Sequence, residues 1–209
     1  MPLVYPSSHP VVHNLLAALR SVKTGSAEFR SLVRSLATML ACEATADLPT
    51  RPTDVLTPLG IAPGRILADT VGIVPILRAG LGMAEGVLDL IPAAEVWHIG
   101  LYRDEQTLRP CEYYNKLPTR PRITLALLVD PMLATGGSAV RTCEVVRATG
   151  VERLKVIALI AAPEGIALMA KAMPDVPIHV GAIDDRLTEV GFIYPGLGDA
   201  GDRQFGTSP

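Results

Sequence analysis

After residue 70 the chain alternates between short, almost wholly apolar runs and segments in which apolar residues recur every three or four positions. Nearly continuous Val, Ile, Leu and Ala runs are typical of parallel strands that are buried on both faces. The predicted strands are VGIVPIL (71–77), AEVWHIGLY (94–102), ITLALLVD (123–130), LKVIALIAA (154–162) and PIHVGAI (177–183). Strands that alternate with helices predict an α/β fold, an open, mostly parallel, twisted sheet flanked by helices, in a single domain over residues 1–209.

The first 48 residues have a different pattern. Phe29, Val33, Leu36 and Leu40 recur at helical spacing, and Ser26 is placed to cap the helix that they define. A second helical segment covers about residues 11–23. We therefore expect an N-terminal helical arm over about residues 9–48, which packs on the core or on a second copy of the chain.

Composition narrows the range of functions that the chain could have. Hydrophobic residues make up 49% and charged residues only 19%, against roughly 25% charged in ordinary soluble domains, which favours a homo-oligomer that covers some of this surface. A net charge of −2 argues against nucleic acid as the main partner. Three cysteines without a CxxC pair argue against a disulfide framework or a zinc site. No signal peptide or membrane span is predicted, so we expect a cytoplasmic protein.

The predicted topology indicates where a ligand binds. In open α/β sheets the ligand lies outside the carboxyl ends of the strands. Three segments leave such ends: RAGLG (78–82), DPMLATGGS (130–138) and the tail around GLGDAG (196–201).

The second segment has the features of a phosphate-binding loop. A buried strand ends in Asp130, and Gly136 and Gly137 precede Ser138 at the start of a predicted helix. Glycines let backbone N–H groups approach an anion, and the N-terminus of a helix adds partial positive charge. The lysine of nucleoside triphosphatase loops is absent. A glycine turn capped by Thr135 or Ser138 is the structural alternative, but the acid at the strand end suits a ligand with both a phosphate and sugar hydroxyls.

The tail GLGDAG fits the dinucleotide-binding pattern G-x-G-x-x-G only by its letters. That pattern needs a following helix, a second strand and an acidic ribose ligand, and only eight residues follow Gly201. We therefore exclude a dinucleotide site, expect no helix within DRQFGTSP (202–209) and expect a tail loop over residues 192–207.

Five motifs in order resemble the uracil phosphoribosyltransferase branch of the type I phosphoribosyltransferases over about residues 9–207. They are VPILRAGLGM, HIGLYRDE, VDPMLATGGSA, AAPEG and YPGLGDAGDR with a terminal FGT. The resemblance implies transfer of ribose 5-phosphate from 5-phosphoribosyl 1-diphosphate to N1 of uracil, which gives UMP and diphosphate in pyrimidine salvage. It also implies a mobile hairpin over about residues 103–120, as a flap above the site.

The same resemblance implies roles for individual residues. Asp199, Asp130 and Arg103 are the implied catalytic residues, and uracil is read by backbone groups of the tail loop at Ile193, Gly198, Asp199 and Ala200. The implied contacts to 5-phosphoribosyl 1-diphosphate are Arg78, Arg103, Asp130, Pro131, Met132, Leu133, Ala134, Thr135, Gly136, Gly137, Ser138 and Asp199.

Cofactor and partners follow from the resemblance as well. It implies Mg²⁺, held mainly by the diphosphate and water, a homodimer or larger oligomer, and GTP as a candidate effector without an identifiable site in this sequence. Two alternatives stay open. One is a non-catalytic regulator that senses the phosphoribosyl compound, which the near-neutral charge disfavours, and the other is a phosphoribosyltransferase for a different base.

Overall fold

The computed structural model describes residues 3–103, 110–115, 117–118 and 121–207. The strands in chain order are β1 (Val4–Pro6), β2 (Thr50–Thr57), β3 (Gly60–Leu67), β4 (Val71–Leu77), β5 (Glu95–Val96), β6 (Ile99–Arg103), β7 (Pro110–Asn115), β8 (Leu125–Leu133), β9 (Arg153–Ala161), β10 (Ile178–Ile183), β11 (Arg186–Leu187) and β12 (Ile193–Tyr194). The helices are α1 (Pro10–Arg20), α2 (Ser26–Ala44), α3 (Leu81–Leu90), α4 (Gly137–Ala148), α5 (Pro163–Ala172) and α6 (Ala200–Phe205).

The central sheet has the order β1-β10-β9-β8-β4-β6-β7, and β5 also pairs with β4. Its strands pair in parallel except for β7, which is antiparallel to β6. The prediction of an open, mostly parallel sheet flanked by helices is therefore confirmed. From β4 the chain moves to β6 on one side and then returns to β8 on the other. The carboxyl ends of β4 and β8 thus flank the topological switch point, where such sheets bind their ligands.

Both faces of the sheet are covered by helices. Along β8, Leu125, Leu127 and Val129 pack into the core beneath α1, α2 and α3, whereas Ala126 and Leu128 pack into the core beneath α4 and α5. Alternate residues of one strand therefore enter opposite cores, which is why the sequence of this strand is continuously apolar.

The helical arm is present, with one difference at its start. Helices α1 and α2 place Val12, Leu16, Phe29 and Leu36 in the core. Ser26 begins α2 instead of capping it, and Gly25 is the N-cap, with no side-chain hydrogen bond to the helix.

Three further features differ from the sequence-based expectations. Residues 50–67 form an antiparallel hairpin, β2–β3, for which no element was predicted. Strand β8 continues through Leu133, so the first half of the predicted loop 130–138 is strand. The expectation of a helix-free tail was wrong, because Ala200–Phe205 forms helix α6 and Asp199 is its N-cap. A helix of this length is too short to show the apolar periodicity by which helices are recognised in a sequence.

The predicted flap over residues 103–120 lies partly outside the described residues. Strands β6 and β7 pair antiparallel, with Arg103 opposite Pro110, so the described backbone has hairpin pairing. In the described part of the chain, no helix is both long and apolar enough to cross a membrane.

Candidate active site at the carboxyl end of the sheet

The end of β8 and the start of α4 form a small polar cup. Gly136 is the N-cap of α4 and has a left-handed backbone, with φ 81°, a conformation that glycine adopts at little cost. A Cβ atom there would also lie 2.8 Å from the carbonyl oxygen of Gly165, at the start of α5. The cup encloses about 80 Å³ and is lined by Asp130, Met132, Leu133, Ala134, Thr135, Gly136, Ser138 and Ala139. Backbone N–H groups at the start of α4 can bind an anion here.

Asp130 lines this cup. The side chain keeps some solvent contact through the opening, but burial dominates and raises the pKa of its carboxyl to about 7. The N–H of Met132, 3.5 Å from Oδ1, opposes this rise only weakly. A carboxyl with this pKa in a pocket is a typical feature of a functional site.

The loop after β4 carries Arg78 and contacts the end of β8. A Cβ atom at Gly80 would lie 2.5 Å from the carbonyl oxygen of Val129, so the loop packs directly against the residue that precedes Asp130. The Arg78 side chain is 60% exposed, and its Nη2 lies 3.6 Å from Oδ1 of Asp202 in α6. Such an exposed, weakly held guanidinium is free to turn toward an anion that binds at this edge.

The tail contributes a loop and a short helix to the same edge. Ile193 is 6% exposed and packs into the core, and Ala200 is 1% exposed. Asp199 is exposed, and its Oδ1 accepts a hydrogen bond of 2.8 Å from the N–H of Asp202, which caps α6. Gly198 is exposed and, among the described residues, neither its N–H nor its carbonyl has a hydrogen-bond partner. Backbone donors and acceptors are therefore available to a ligand.

The structure brings the three predicted segments together through the loop 78–82. This loop contacts β8 through Gly80 and α6 through Arg78, and the carbonyl of Ala79 also accepts a hydrogen bond of 3.2 Å from Gln204. Arg103 ends β6, but its side chain lies outside the described part of the structure.

Sequence reasoning gave no role to four residues that support this region. Gly165 belongs to the motif AAPEG and touches Gly136, and Gln204 binds the loop 78–82. Arg20 and Asp184 hold the tail loop at Gly196. Asp184 was detectable, because it is an acid directly after a buried strand, as Asp130 is at the end of the predicted strand 123–130.

Comparison with known proteins decides the family. A family model described as uracil phosphoribosyltransferase matches residues 6–207. The chain belongs to the uracil phosphoribosyltransferase family. A relative of that name from Roseiflexus castenholzii is 53% identical over 207 residues, which cover 99% of this chain and all of the relative. Another from Anoxybacillus flavithermus is 50% identical over 208 residues, with the same coverage.

Solved structures share the fold of this chain. The AQ2163 protein of Aquifex aeolicus superposes with a TM-score of 0.93 at 35% identity, over 98% of this chain and 99% of that one. A hypoxanthine-guanine phosphoribosyltransferase of Bacillus anthracis superposes with a TM-score of 0.53 at 12% identity, over 76% and 80% of the two chains, and thus shares the fold. The resemblance to the uracil phosphoribosyltransferase family, which the sequence motifs indicated, is confirmed.

Proposed function

We propose that this chain transfers ribose 5-phosphate from 5-phosphoribosyl 1-diphosphate to N1 of uracil, giving UMP and diphosphate. The observation that carries the proposal is the cup of β8 and α4, which combines exposed helix N–H groups with the Asp130 carboxyl. The 5-phosphate binds the amides and hydroxyls of residues 134–138, and Asp130 accepts hydrogen bonds from the ribose hydroxyls. A phosphate and a sugar are thus bound side by side.

The leaving group explains the role of the loop 78–82. Diphosphate gains negative charge as the glycosidic bond breaks, so a cation beside it lowers the barrier more than it stabilises the bound substrate. Arg78 lies at the carboxyl end of β4 and is exposed. In this proposal it leaves Asp202 and binds the diphosphate. Arg103, whose backbone ends β6, is the second cation that the family resemblance implies for the diphosphate.

Uracil recognition belongs to the tail loop. The base presents an N3–H donor between two carbonyl acceptors, and backbone N–H and C=O groups can match that pattern. Gly198 has both groups free of partners among the described residues, with Ile193 and Ala200 buried on either side of it in the chain. Cytosine reverses the N3 donor and one acceptor, so it would leave buried polar groups unpaired. Asp199 stabilises the positive charge that develops on the ribose.

Mg²⁺ fits this site as a partner of the substrate. The described residues contain no group of three His, Cys, Asp or Glu side chains that could hold a metal ion. Mg²⁺ usually keeps several waters and binds through substrate phosphates and one or two carboxylates, so here it would be held mainly by the diphosphate and water. When bound, the ion neutralises charge on the leaving diphosphate.

We also propose a homodimer or larger oligomer. Hairpin β2–β3 exposes large apolar side chains, with Leu56 84%, Leu59 100% and Ile61 73% exposed. Exposed apolar patches of this kind mark interaction surfaces. A sedimentation mass of 22.2 kDa, that of a single chain, would contradict the proposal. Activation by GTP stays a prediction from the family resemblance.

The decisive experiment is a steady-state assay of diphosphate release. Purified protein receives 5-phosphoribosyl 1-diphosphate and Mg²⁺ with uracil, cytosine, orotate or adenine in separate reactions. Release with uracil alone is expected. Diphosphate release with another base would mean that the tail loop recognises that base. No release with any of the four bases, despite binding of the phosphoribosyl compound, would favour a regulator.

A further inference from the structure

The buried turn that precedes the base-reading residues is held by charged side chains. Gly196 and Leu197 are both buried. The N–H of Gly196 donates to Oδ2 of Asp184 at 2.8 Å, and its carbonyl accepts from Nη1 of Arg20 at 2.7 Å. The carbonyl of Leu197 accepts from Nη1 of Arg203 at 2.8 Å. Buried backbone groups need such partners, but partners on charged side chains also fix the direction of each peptide group.

The two residues that hold Gly196 also bind each other. Nη1 of Arg20 lies 2.7 Å from Oδ2 of Asp184, and Nη2 lies 2.5 Å from Oδ1, so the guanidinium grips the carboxylate at both oxygens. The Asp184 side chain is 4% exposed and that of Arg20 is 25% exposed. Arg20 is the last residue of α1, and Asp184 directly follows β10. The pair Arg20 and Asp184, which we call the clamp, therefore connects the helical arm, the sheet and the tail loop.

Stability alone is a weak reason for this pair. The cost of removing two charges from water offsets much of their attraction, and apolar replacements of buried pairs are often neutral or stabilising. A forked guanidinium on a carboxylate, however, fixes geometry to within a narrow range. The pair is thus suited to hold one orientation of the turn at Gly196.

We propose that Arg20 and Asp184 are positioning residues for uracil. They fix the Gly196–Leu197 turn, so that Gly198, Asp199 and Ala200 present one pattern of donors and acceptors to the base. Neither residue touches the phosphate cup in the described structure. Their effect is therefore confined to the base, a consequence that rests on the proposed uracil chemistry.

The test compares three variants of the full-length protein. Arg20→Lys keeps the charge but loses the fork. The double variant Arg20→Gln with Asp184→Asn removes both charges, so neither is left alone in the interior if a single change prevents folding. Arg34→Lys is the control, because Arg34 also binds both carboxylate oxygens of one residue, Asp89, at an exposed contact between α2 and α3.

For both clamp variants we expect KM for uracil to rise roughly 10-fold or more, as for lost hydrogen bonds to charged groups. KM for 5-phosphoribosyl 1-diphosphate should stay within about 2-fold, because the cup is untouched. The rate with cytosine relative to uracil should rise. Arg34→Lys should change none of these quantities. Equal rises in both KM values, or no rise for uracil, would overturn the proposal.

Hydrogen exchange separates this proposal from the proposed reaction. In the substrate-free protein, amides of residues 196–201 should exchange faster in Arg20→Lys than in the wild type or in Arg34→Lys. If the wild-type protein has no activity with uracil, the proposed reaction fails, and this exchange difference still tests the clamp. Unchanged exchange in Arg20→Lys would refute the clamp in either case.

Discussion

Replacing Asp130 with asparagine removes a carboxyl whose protonation is coupled to folding. Burial raises the pKa of this carboxyl from its ordinary value of 3.8 to about 7. A raised pKa means that the folded state binds the proton more tightly than the unfolded state does. The resulting stabilisation is fully present below pH 3.8 and is lost as the pH rises through about 7. The asparagine variant lacks this dependence and has nearly the same shape.

The magnitude follows from the difference between the two pKa values. Each pH unit between them changes the free energy of unfolding by about 1.4 kcal/mol, so the interval from pH 5 to pH 8 is worth at most about 3 kcal/mol. Solvent contact through the mouth of the cup reduces this, and we expect about 1–2 kcal/mol. The wild type should thus lose this much stability relative to Asp130→Asn between pH 5 and pH 8.

The assay is urea unfolding followed by circular dichroism at both pH values, in buffers without phosphate. Other titrating groups are common to both proteins and cancel in the difference. Asp54→Asn, on the exposed hairpin β2–β3, is the control and should track the wild type. If the difference between wild type and Asp130→Asn is the same at pH 5 and pH 8, the carboxyl has an ordinary pKa and the reasoning fails.

In the proposed site the same carboxyl links pH to substrate binding. There the ribose hydroxyls donate hydrogen bonds to its charged form, so the Kd for 5-phosphoribosyl 1-diphosphate should fall as the pH rises from 6 to 8. Calorimetry in the presence of Mg²⁺ measures this directly. The Asp130→Asn variant should bind more weakly and without this trend. In the substrate-free protein, the charged form of this buried carboxyl lowers the stability of the fold. Stability is thus given up for function.

Other parts of the site give three more tests. Asp199→Asn keeps the oxygen that caps α6, so the melting temperature should hold while kcat falls about 100-fold or more; full activity would exclude the role. Arg78→Ala should raise KM for 5-phosphoribosyl 1-diphosphate roughly 10-fold with uracil binding unchanged, and equal loss for both substrates would contradict the placement. Gly165→Ala puts a Cβ atom 2.4 Å from the carbonyl oxygen of Ala134 and should cost about 1–3 kcal/mol of stability and weaken phosphate binding. Gly25→Ala, with open space at the N-cap of α2, is the control for phosphate binding and should leave it unchanged; an equal loss of phosphate binding would refute the contact.

Features that depend on residues close together in the chain were predictable from the sequence. The apolar runs predicted β4, β8, β9 and β10, because a parallel strand buried on both faces cannot tolerate polar side chains on either. The glycines before Ser138 predicted a phosphate cup, since glycine backbones at a helix N-terminus can present N–H groups to an anion. Once the sheet is parallel, the position of the site follows, because the carboxyl ends of its strands share one edge.

Some local features were missed because their signals are short. Helix α6 has six residues, fewer than two turns, and its sequence contains glycine, which has low helix propensity. Its cap at Asp199 was the available signal. Hairpin β2–β3 has mostly exposed residues, so it lacks the regular alternation that identifies a half-buried strand.

The sequence by itself thus determined the fold class, the edge of the sheet where the candidate site lies and the motifs of the family. Only the tertiary structure decided the raised pKa of Asp130 and the contact between Gly136 and Gly165. The clamp of Arg20 and Asp184, 164 positions apart, also required it. Periodicity and turn chemistry act between neighbours in the chain and can be read directly. Burial, close backbone approach and charge pairing depend on which distant segments meet, and that is settled only when the whole chain packs.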